Sequence, residues 1–444
     1  MNIPCAKRLC FIVYGLAFIQ PAMTQIQFNN LTLIATALVL GSGFSLTAIS
    51  RMWLKERCVS TLSYFFTDAQ IRLNEVQNLY AKHALSAYNL EGGNYLIDDT
   101  MKHHTFLCKC IHGVCVLFDH ALKTNLKAIC IVVLYYSDGM LIKFPISFRI
   151  YYQEQGKPMP WQRGKEQKCK KKYELAVEML EWALQMGFPR GTVLADSWFG
   201  IEPFVKELKR LKLSYVLEIK SNYNVKVNCR EPKLTKTGKL AKNQTETIKL
   251  PIFFKSIQNV IKCGFARDIE RGKEEKVVYH VKVATIRLNS ISGKHRVVES
   301  YDPANKTTKY LLTNELTWEG IKIITIYSNR WVIEEFFRNA KQVLDMEGAT
   351  IRSEQGVTLA LCLVSWIDFL LHLENWKQCT AGKLSKESQT IPSIVRQAQM
   401  ENLEAFLERI KTDEDVIKRW LNVEKELIER KRKRRKELIV IEQT

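Results

Sequence analysis

Five polar residues recur at helical spacing in one segment of the chain. Tyr327, Arg330, Glu334, Arg338 and Lys341 follow one another at intervals of three or four residues. At about 100° per residue, a continuous helix would place all five on a stripe about 80° wide. Such a stripe sets three cations beside one carboxylate. The alternative is an ordinary surface helix in which Glu334 pairs with Arg330 and with Arg338.

Two aspartates elsewhere in the chain follow short apolar runs. Asp98 ends the run 95–97, and Asp196 follows the run 192–195. Both runs are typical of buried strands, so each carboxylate is expected at a strand end. Mg²⁺ prefers oxygen ligands of this kind. Two such aspartates together with Glu334 could bind a pair of metal ions about 4 Å apart, the arrangement that promotes in-line attack on a phosphodiester. The alternative is that each aspartate only caps a turn or the next helix.

These residues need a scaffold, and the middle of the chain has the pattern of one. Several strand-like runs come first, and helices and strands then alternate, which indicates a mixed α/β sheet. The dipeptide Asp138-Gly139 favours a hairpin turn between two of the strands. The predicted strands cover 95–98, 111–118, 128–136, 140–152, 192–195 and 214–219, and the predicted helices cover 173–186 and 202–211.

The flanking regions differ in pattern from this middle part. Residues 1–90 and 318–372 have helical periodicity, residues 221–312 alternate β-like runs with turns, and the tail from about 390 is helical and charged. Two apolar stretches near the N-terminus resemble an export signal or a membrane anchor. Neither has the roughly 18 uninterrupted apolar residues of a membrane span. We therefore expect them to be buried in a helical region.

The charge of the whole chain favours a polyanionic partner. Its 444 residues include 66 Lys and Arg against 46 Asp and Glu, a formal net charge of +20. Basic runs at 168–172 and 430–436 add local charge, so nucleic acid is the leading candidate partner. With 46% hydrophobic and 25% charged residues, the chain is not disordered, collagen-like or a polytopic membrane protein. The twelve cysteines form no Cys-x2-Cys pair, which favours free thiols in a reducing compartment, and the His and Cys residues of 103–115 have no common zinc spacing.

At this point the sequence resembles a known family. Tyr327, Arg330, Glu334 and Lys341 fit the pattern Tyr-x2-Arg-x3-Glu-x6-Lys, which is the signature of the DDE transposase family named after bacterial insertion sequence four. Ile-Asp-Asp-Thr at 97–100 looks like the first aspartate motif of that family. Val-Leu-Ala-Asp-Ser-Trp-Phe-Gly at 193–200 looks like the second, and the resemblance covers residues 30–375.

The resemblance implies a ribonuclease-H-like fold and a metal-dependent triad. Asp98, Asp196 and Glu334 would hold two Mg²⁺ ions, for which Mn²⁺ can substitute. Asp99 is the substitute for Asp98. Because neighbouring residues of a strand point to opposite faces, only one of the two can join the site. The residues expected to contact DNA are Tyr327, Arg330, Trp331, Arg338, Lys341 and Trp318, the last as the aromatic that stacks on a base.

The resemblance also implies a biological role. The protein would be a cut-and-paste transposase that cleaves double-stranded DNA at the terminal inverted repeats of a mobile element, forms a hairpin and inserts the element into target DNA. It would act as a homodimer in the bacterial cytoplasm at the nucleoid, away from membranes. The alternatives are a decayed transposase that only binds DNA and a non-transposing nuclease of the same fold.

The expected organisation has five parts. The ribonuclease-H-like catalytic domain is expected to be split by a β-rich insertion and flanked by helical regions, of which the first binds the DNA ends. The parts are a helical N-terminal region at 1–90, the first catalytic part at 91–220, the β-rich insertion at 221–312, the second catalytic part with the glutamate helix at 313–375, and a basic helical C-terminal region at 376–444.

Overall fold

The computed structural model describes most of the chain. The described residues are 3–53, 58–104, 110–119, 122–153, 161, 169–228, 245–269, 273–382, 390–413, 415–418, 420–422, 425 and 429. The basic run 430–436 and two residues of the other clusters named above, Cys108 and Lys168, lie outside these ranges. No disulfide bond joins the cysteines that the structure describes.

A five-stranded unit lies at the centre of the fold, in the order β4-β3-β1-β5-β6. Strand β3 runs antiparallel to both β1 and β4, whereas β5 and β6 run parallel to β1. This arrangement of three antiparallel strands followed by two parallel strands is ribonuclease-H-like. The five strands are β1 (Asn94–His104), β3 (Thr124–Ser137), β4 (Lys143–Tyr151), β5 (Thr192–Ala195) and β6 (Ser214–Ile219). A sixth strand, β2 (Cys115–Asp119), pairs antiparallel with the first residues of β3.

The β-rich insertion continues the same sheet. Strand β12 pairs antiparallel with β6, and β11, β10, β7 and β8 follow outward, with β9 paired to β10. The described strands therefore form one twelve-stranded sheet. The insertion contains β7 (Asn224–Asn228), β8 (Thr245–Lys249), a helix α8 (Leu250–Lys255), β9 (Ile261–Ile269), β10 (Lys273–Leu288), β11 (Lys294–Asp302) and β12 (Thr307–Thr313).

Helices cover the sheet and join the N- and C-terminal regions to it. The N-terminal helices are α1 (Cys10–Gly15), α2 (Gln25–Val39), α3 (Leu46–Arg51), α4 (Val59–Thr67) and α5 (Leu73–Ala87), with a 3₁₀ segment at Ala17–Ala22. The sheet is followed or interrupted by α6 (Lys172–Gln185), α7 (Glu202–Arg210), α9 (Gly320–Ser328), α10 (Trp331–Gln342), α11 (Glu354–Thr380) and α12 (Ile391–Thr412), with a 3₁₀ turn at Met346–Gly348.

The N-terminal apolar stretches belong to the hydrophobic core. Leu9, Ile12, Leu16 and Ile19 are almost fully buried and lie in one cluster with residues of the central sheet. Helix α11 is long and apolar enough to cross a membrane by length and composition alone. However, 89% of its most apolar window is buried inside the protein, as in the core helix of a globular protein.

Three sequence predictions of secondary structure were wrong in detail. The strand predicted at 111–118 begins only at Cys115, because Gly113 has a left-handed φ of +83°. Asp98 was expected at the end of its strand, but β1 continues to His104, where it still pairs with β3. The single helix predicted from Tyr327 onward is two helices, since the intervening residues make tight i to i−3 hydrogen bonds in place of the i to i−4 bonds of an α-helix.

Candidate active site

Strand register brings three acids side by side at the centre of the sheet. Ile97 pairs with Ala195 in the parallel β1–β5 ladder, and Ala195 pairs with Leu217 in the parallel β5–β6 ladder. The next residue along each of these strands is an acid: Asp98 after β1 position 97, Asp196 directly after β5, and Glu218 in β6. Asp98, Asp196 and Glu218 therefore occupy equivalent positions on neighbouring parallel strands, and together they are called the acid row.

Asp98 is a largely buried carboxyl with a strongly shifted pKa. Its Oδ1 accepts a hydrogen bond from the backbone N–H of Asp99 at 2.8 Å, and its Oδ2 accepts one from Arg330 Nη1 at 2.7 Å. Burial raises the pKa of Asp98 to about 7, the charge of Arg330 opposes this shift, and the charge of Asp196 adds to it. The raised pKa of Asp98 therefore reflects mainly the removal of the carboxyl from solvent, which the Arg330 guanidinium offsets only in part.

Asp196 anchors the loop that follows β5. Its Oδ1 accepts a hydrogen bond from the backbone N–H of Trp198 at 3.1 Å, as an aspartate that starts a turn does. Burial raises the pKa of Asp196, while the Trp198 hydrogen bond and the charge of Arg330 act in the opposite direction. Asp196 thus starts a turn and at the same time lies next to Asp98 in the strand register.

Arg330 is the cation that connects the acids. It lies in the turn between α9 and α10, and its guanidinium bonds both to Asp98 and to Glu334 one turn further along α10. The contact between Arg330 and Glu334 is the i,i+4 ion pair expected of a surface helix. Here, however, Arg330 also contacts Asp98 in strand β1. Asp196 contributes to the electrostatic environment of Arg330 as well, so all three predicted acids act on one guanidinium.

Glu218 is a site residue that the sequence reasoning missed. Its Oε2 accepts a hydrogen bond from the Tyr327 hydroxyl at 2.9 Å and lies 3.5 Å from Lys309 Nζ. Burial raises the pKa of Tyr327, and the charge of Arg330 opposes the shift. The signal was present in the sequence: Glu218 is the one acid in the otherwise apolar run of β6. It fixes Tyr327 at the edge of the acid row.

The remaining predicted residues lie around this centre at different positions. Asp99 points away from Asp98 and pairs with Lys172 Nζ at 2.8 Å, as the alternation of a strand requires. Lys341 lies on α10 with Glu334 and Arg338, and its Nζ is 3.4 Å from Glu347. The break between α9 and α10 separates only Tyr327 from the rest of the predicted stripe, because Glu334, Arg338 and Lys341 lie on α10 and Arg330 directly precedes it.

The candidate aromatic and basic contacts differ in exposure. Trp331 and Arg338 are exposed on α10. Trp318 is half-buried between β12 and α9, and Lys322 Nζ lies 4.6 Å from its ring centre. Lys170, in the described part of the first basic run, forms an ion pair with Glu178.

The donor set fits a divalent metal in chemistry. Asp98, Asp196 and Glu334 offer carboxylate oxygens, which Mg²⁺ and Mn²⁺ prefer, and burial leaves two of these carboxyls with raised pKa values that a cation would lower. Among the described residues, no three His, Cys, Asp or Glu side chains already form a metal-binding group. Between Asp98 and Glu334 lies the guanidinium of Arg330, so these two carboxylates could share a metal only after Arg330 releases them.

Comparison with known families gives two matches that overlap at this site. Residues 24–249, just over half of the chain, match the family described as DDE superfamily endonuclease. Residues 170–367 match the family described as transposase DDE domain. The first range contains Asp98, the second contains Glu334, and both contain Asp196 and Glu218. A search of curated proteins found no match.

Proposed function

Because this chain belongs to the DDE superfamily of endonucleases, we propose that it is a transposase that cleaves DNA at the terminal inverted repeats of a mobile element and joins the freed ends to a target. The observation that carries this proposal is that Arg330 forms ion pairs with both Asp98 and Glu334, while strand register sets Asp196 beside Asp98. These acids come from two strands and a helix that are far apart in the sequence.

We further assign the chain to the transposase family named after insertion sequence four. The support is the spacing of Tyr327, Arg330, Glu334 and Lys341. Double-stranded DNA is the substrate, and a homodimer holds the two ends, because each end needs its own active site. The helical N-terminal region binds the ends, and the protein acts in the bacterial cytoplasm at the nucleoid.

Asp98, Asp196 and Glu334 would hold divalent metal ions, which when bound would activate the attacking water or 3′ hydroxyl and stabilise the leaving oxygen. The protein's own task is to position groups and balance charge. With a pKa of about 7, Asp98 is protonated in part of the molecules at neutral pH, and this proton must leave before the carboxylate can bind a cation. Arg330 must also leave the carboxylates. A guanidinium can bind two oxygens of a phosphate in the same bidentate way in which it binds the two oxygens of a carboxylate. Arg330 is therefore expected to pass from the acids to the DNA backbone.

The test is cleavage of DNA that carries the ends of the protein's own element. Purified protein is incubated with this DNA and Mg²⁺, with Mn²⁺ or with a chelator, and Glu334→Gln is compared with the wild type. Removal of one charge-stabilising group in an active site typically lowers the rate about 10²-fold or more. Glu335→Gln is the matched control, because Glu335 is the neighbouring residue on α10 and pairs with Lys143 at 3.1 Å.

Metal-dependent nicking that is lost in Glu334→Gln and kept in Glu335→Gln is the expected result. Hairpin products and insertion into a second DNA would then support the full transposition pathway. Specific binding without cleavage would instead identify a decayed transposase, and cleavage without joining would identify a nuclease. Equal cleavage by both variants would contradict the assignment of Glu334.

A further inference from the structure

Three cations lie opposite one another across three strands of the β-rich insertion. In the antiparallel ladders, Lys226 of β7 pairs with Arg287 of β10, and Arg287 pairs with Lys294 of β11. Residues directly opposite in a ladder point to the same face of the sheet, with Cα atoms about 4.5–5.5 Å apart. All three residues are exposed. The insertion therefore presents a row of positive charge, which we call the cation row.

Carboxylates of the described residues do not neutralise the cation row. Lys226, Arg287 and Lys294 form no ion pair within the part of the chain that the structure describes. Glu202 lines a cavity together with Lys226 and Arg287. Both of its oxygens, however, accept hydrogen bonds from Ser292, one from the N–H at 2.9 Å and one from the hydroxyl at 2.6 Å. Because like charges directly opposite each other destabilise a sheet, the cation row costs stability that an anionic partner would restore.

A fourth cation extends the row on the same face. Arg296 lies two residues after Lys294 in β11, so its side chain points to the same side of the sheet. Its Nη1 donates to Thr285 Oγ1 at 3.1 Å, whereas its Nε is buried and has no hydrogen-bond partner among the described residues. A buried donor without a partner costs stability. An anionic ligand that reaches Arg296 would remove this cost.

The cation row lies on the same face of the sheet as Glu218 of the acid row, but towards the other end of β6. Glu218 is opposite Leu311 in the β6–β12 ladder. Leu311 is opposite Val298, which in turn is opposite Val283. Arg287 is four residues beyond Val283 on β10, which keeps it on this face. At about 3.3 Å per residue and about 4.8 Å per strand, Arg287 lies roughly 20 Å from Glu218 along the sheet.

Helix α9 packs on the sheet between the two rows. An added Cβ at Gly320 would lie 2.5 Å from Val283 Cγ2 and 3.0 Å from Val281 Cγ1, so the helix lies close against β10. Beyond this contact, Thr285 and Arg287 are exposed. The cation row is thus a surface of its own and not the rim of the candidate active site.

We propose that the cation row, together with Arg296, binds the phosphate backbone of double-stranded DNA at a place separate from the acid row. Clustered Lys and Arg on one face are the electrostatic footprint of sequence-independent backbone binding, and the planar fork of arginine binds two phosphate oxygens at once. A separation of roughly 20 Å corresponds to about six base pairs at 3.4 Å each. The inference rests on the proposed function for the choice of DNA as the polyanion.

The test uses a labelled duplex of random sequence, which contains no end of the element. The full-length protein, in buffer with a chelator, is titrated into this duplex between about 50 and 200 mM salt, and binding is read from fluorescence anisotropy. The cation-row variant combines Lys226→Gln, Arg287→Gln and Lys294→Gln. Each phosphate contact contributes about 0.9 to the slope of log K against log salt, so three lost contacts should lower the slope by about 2.7. Over this salt range, the wild type should then lose about 40-fold more affinity than the variant.

A control variant combines Lys206→Gln, Lys255→Gln and Arg396→Gln. It makes the same change in charge at exposed positions of α7, α8 and α12, so it corrects for the net charge of the protein. Its salt slope should be that of the wild type. The cation-row variant should also be at least as stable as the wild type in urea unfolding, because it removes like charges that lie opposite each other. This measurement separates a loss of binding from a loss of folding.

The proposal is overturned if the wild type does not bind the duplex, or if the cation-row variant and the control variant have equal salt slopes. It is also overturned if the slope falls with single-stranded DNA and not with the duplex. Metal-dependent cleavage of element ends by the wild type would, in each case, leave the proposed function intact. Failure of that cleavage, with a reduced slope in the cation-row variant, would remove the proposed function and leave the DNA-binding surface.

Discussion

Replacing Arg330 with glutamine removes the cation that lies between Asp98 and Glu334. Arg330 Nη1 donates to Asp98 Oδ2 at 2.7 Å, and the two side chains are only 14% and 17% exposed. Burial already raises the pKa of Asp98 to about 7 while the guanidinium opposes the shift. Without the guanidinium that pKa must rise further, because burial and the charge of Asp196 remain.

The cost of this substitution therefore depends on pH. A carboxyl whose pKa is higher in the folded than in the unfolded protein lowers the free energy of unfolding as the pH rises between the two pKa values. This decrease ends at the folded-state pKa. In the wild type this loss of stability ends near pH 7, whereas in Arg330→Gln it continues to higher pH. Each further pH unit costs about 1.4 kcal/mol, so the variant should lose about 2 kcal/mol at pH 8.5 through Asp98. Loss of the partly exposed ion pair between Arg330 and Glu334 should cost about 0.5 kcal/mol more at either pH.

The assay is urea unfolding with a chelator at pH 6 and at pH 8.5. The matched control is Arg338→Gln, which makes the same change at an exposed position of α10 and should stay within about 0.5 kcal/mol of the wild type. Added Mg²⁺ at pH 8.5 should restore stability to Arg330→Gln more than it stabilises the wild type, since the ion can take the place of the guanidinium. A difference between Arg330→Gln and the wild type that is equal at both pH values would refute the reasoning.

Two further substitutions test the core and the loop. Asp368 on α11 is fully buried, and burial raises its pKa to about 7 although the Tyr135 hydroxyl donates to it. Ionisation of Asp368 therefore lowers the stability of the wild type as the pH rises. In urea unfolding, the free energy of unfolding of Asp368→Asn relative to the wild type should increase by about 2–3 kcal/mol between pH 5 and pH 7. A gain that does not change with pH would contradict this. Gly200→Ala places a Cβ 2.2 Å from the Glu218 carbonyl oxygen and should cost about 2 kcal/mol or more; Gly92→Ala, with open space around it, is the control, and equal thermal stability of the two variants would show that the loop can move.

Much of the central fold was predictable from local sequence patterns. Strands β5 and β6 were predicted with their observed bounds, and the hairpin at Asp138-Gly139 joins β3 to β4. These short apolar runs have clear turns or helices on both sides, so local pattern is sufficient. The boundary at 111–118 was wrong because one glycine with a left-handed φ delays the strand, and no periodicity signals such a conformation.

Part of the candidate site was predictable as individual residues, but Glu218 and the spatial arrangement of the site were not. The signature spacing and the two aspartate motifs singled out Asp98, Asp196 and Glu334. Their catalytic role stays a prediction, although the structure brings them together. The tight turn before Trp331 places Tyr327 on a different helix from Glu334 and Lys341, which a helix wheel drawn for one unbroken helix does not represent.

The sequence by itself determined which residue types are present and how they are spaced along each element, because periodicity and turn chemistry are local properties. Only the tertiary structure decided that Glu218 joins the acid row, since this depends on the register of three parallel strands. It also decided that Arg330 links a strand acid to a helix acid across more than 200 residues of chain. Contacts of this kind follow from how strands pair and helices pack, which no single segment of the chain specifies.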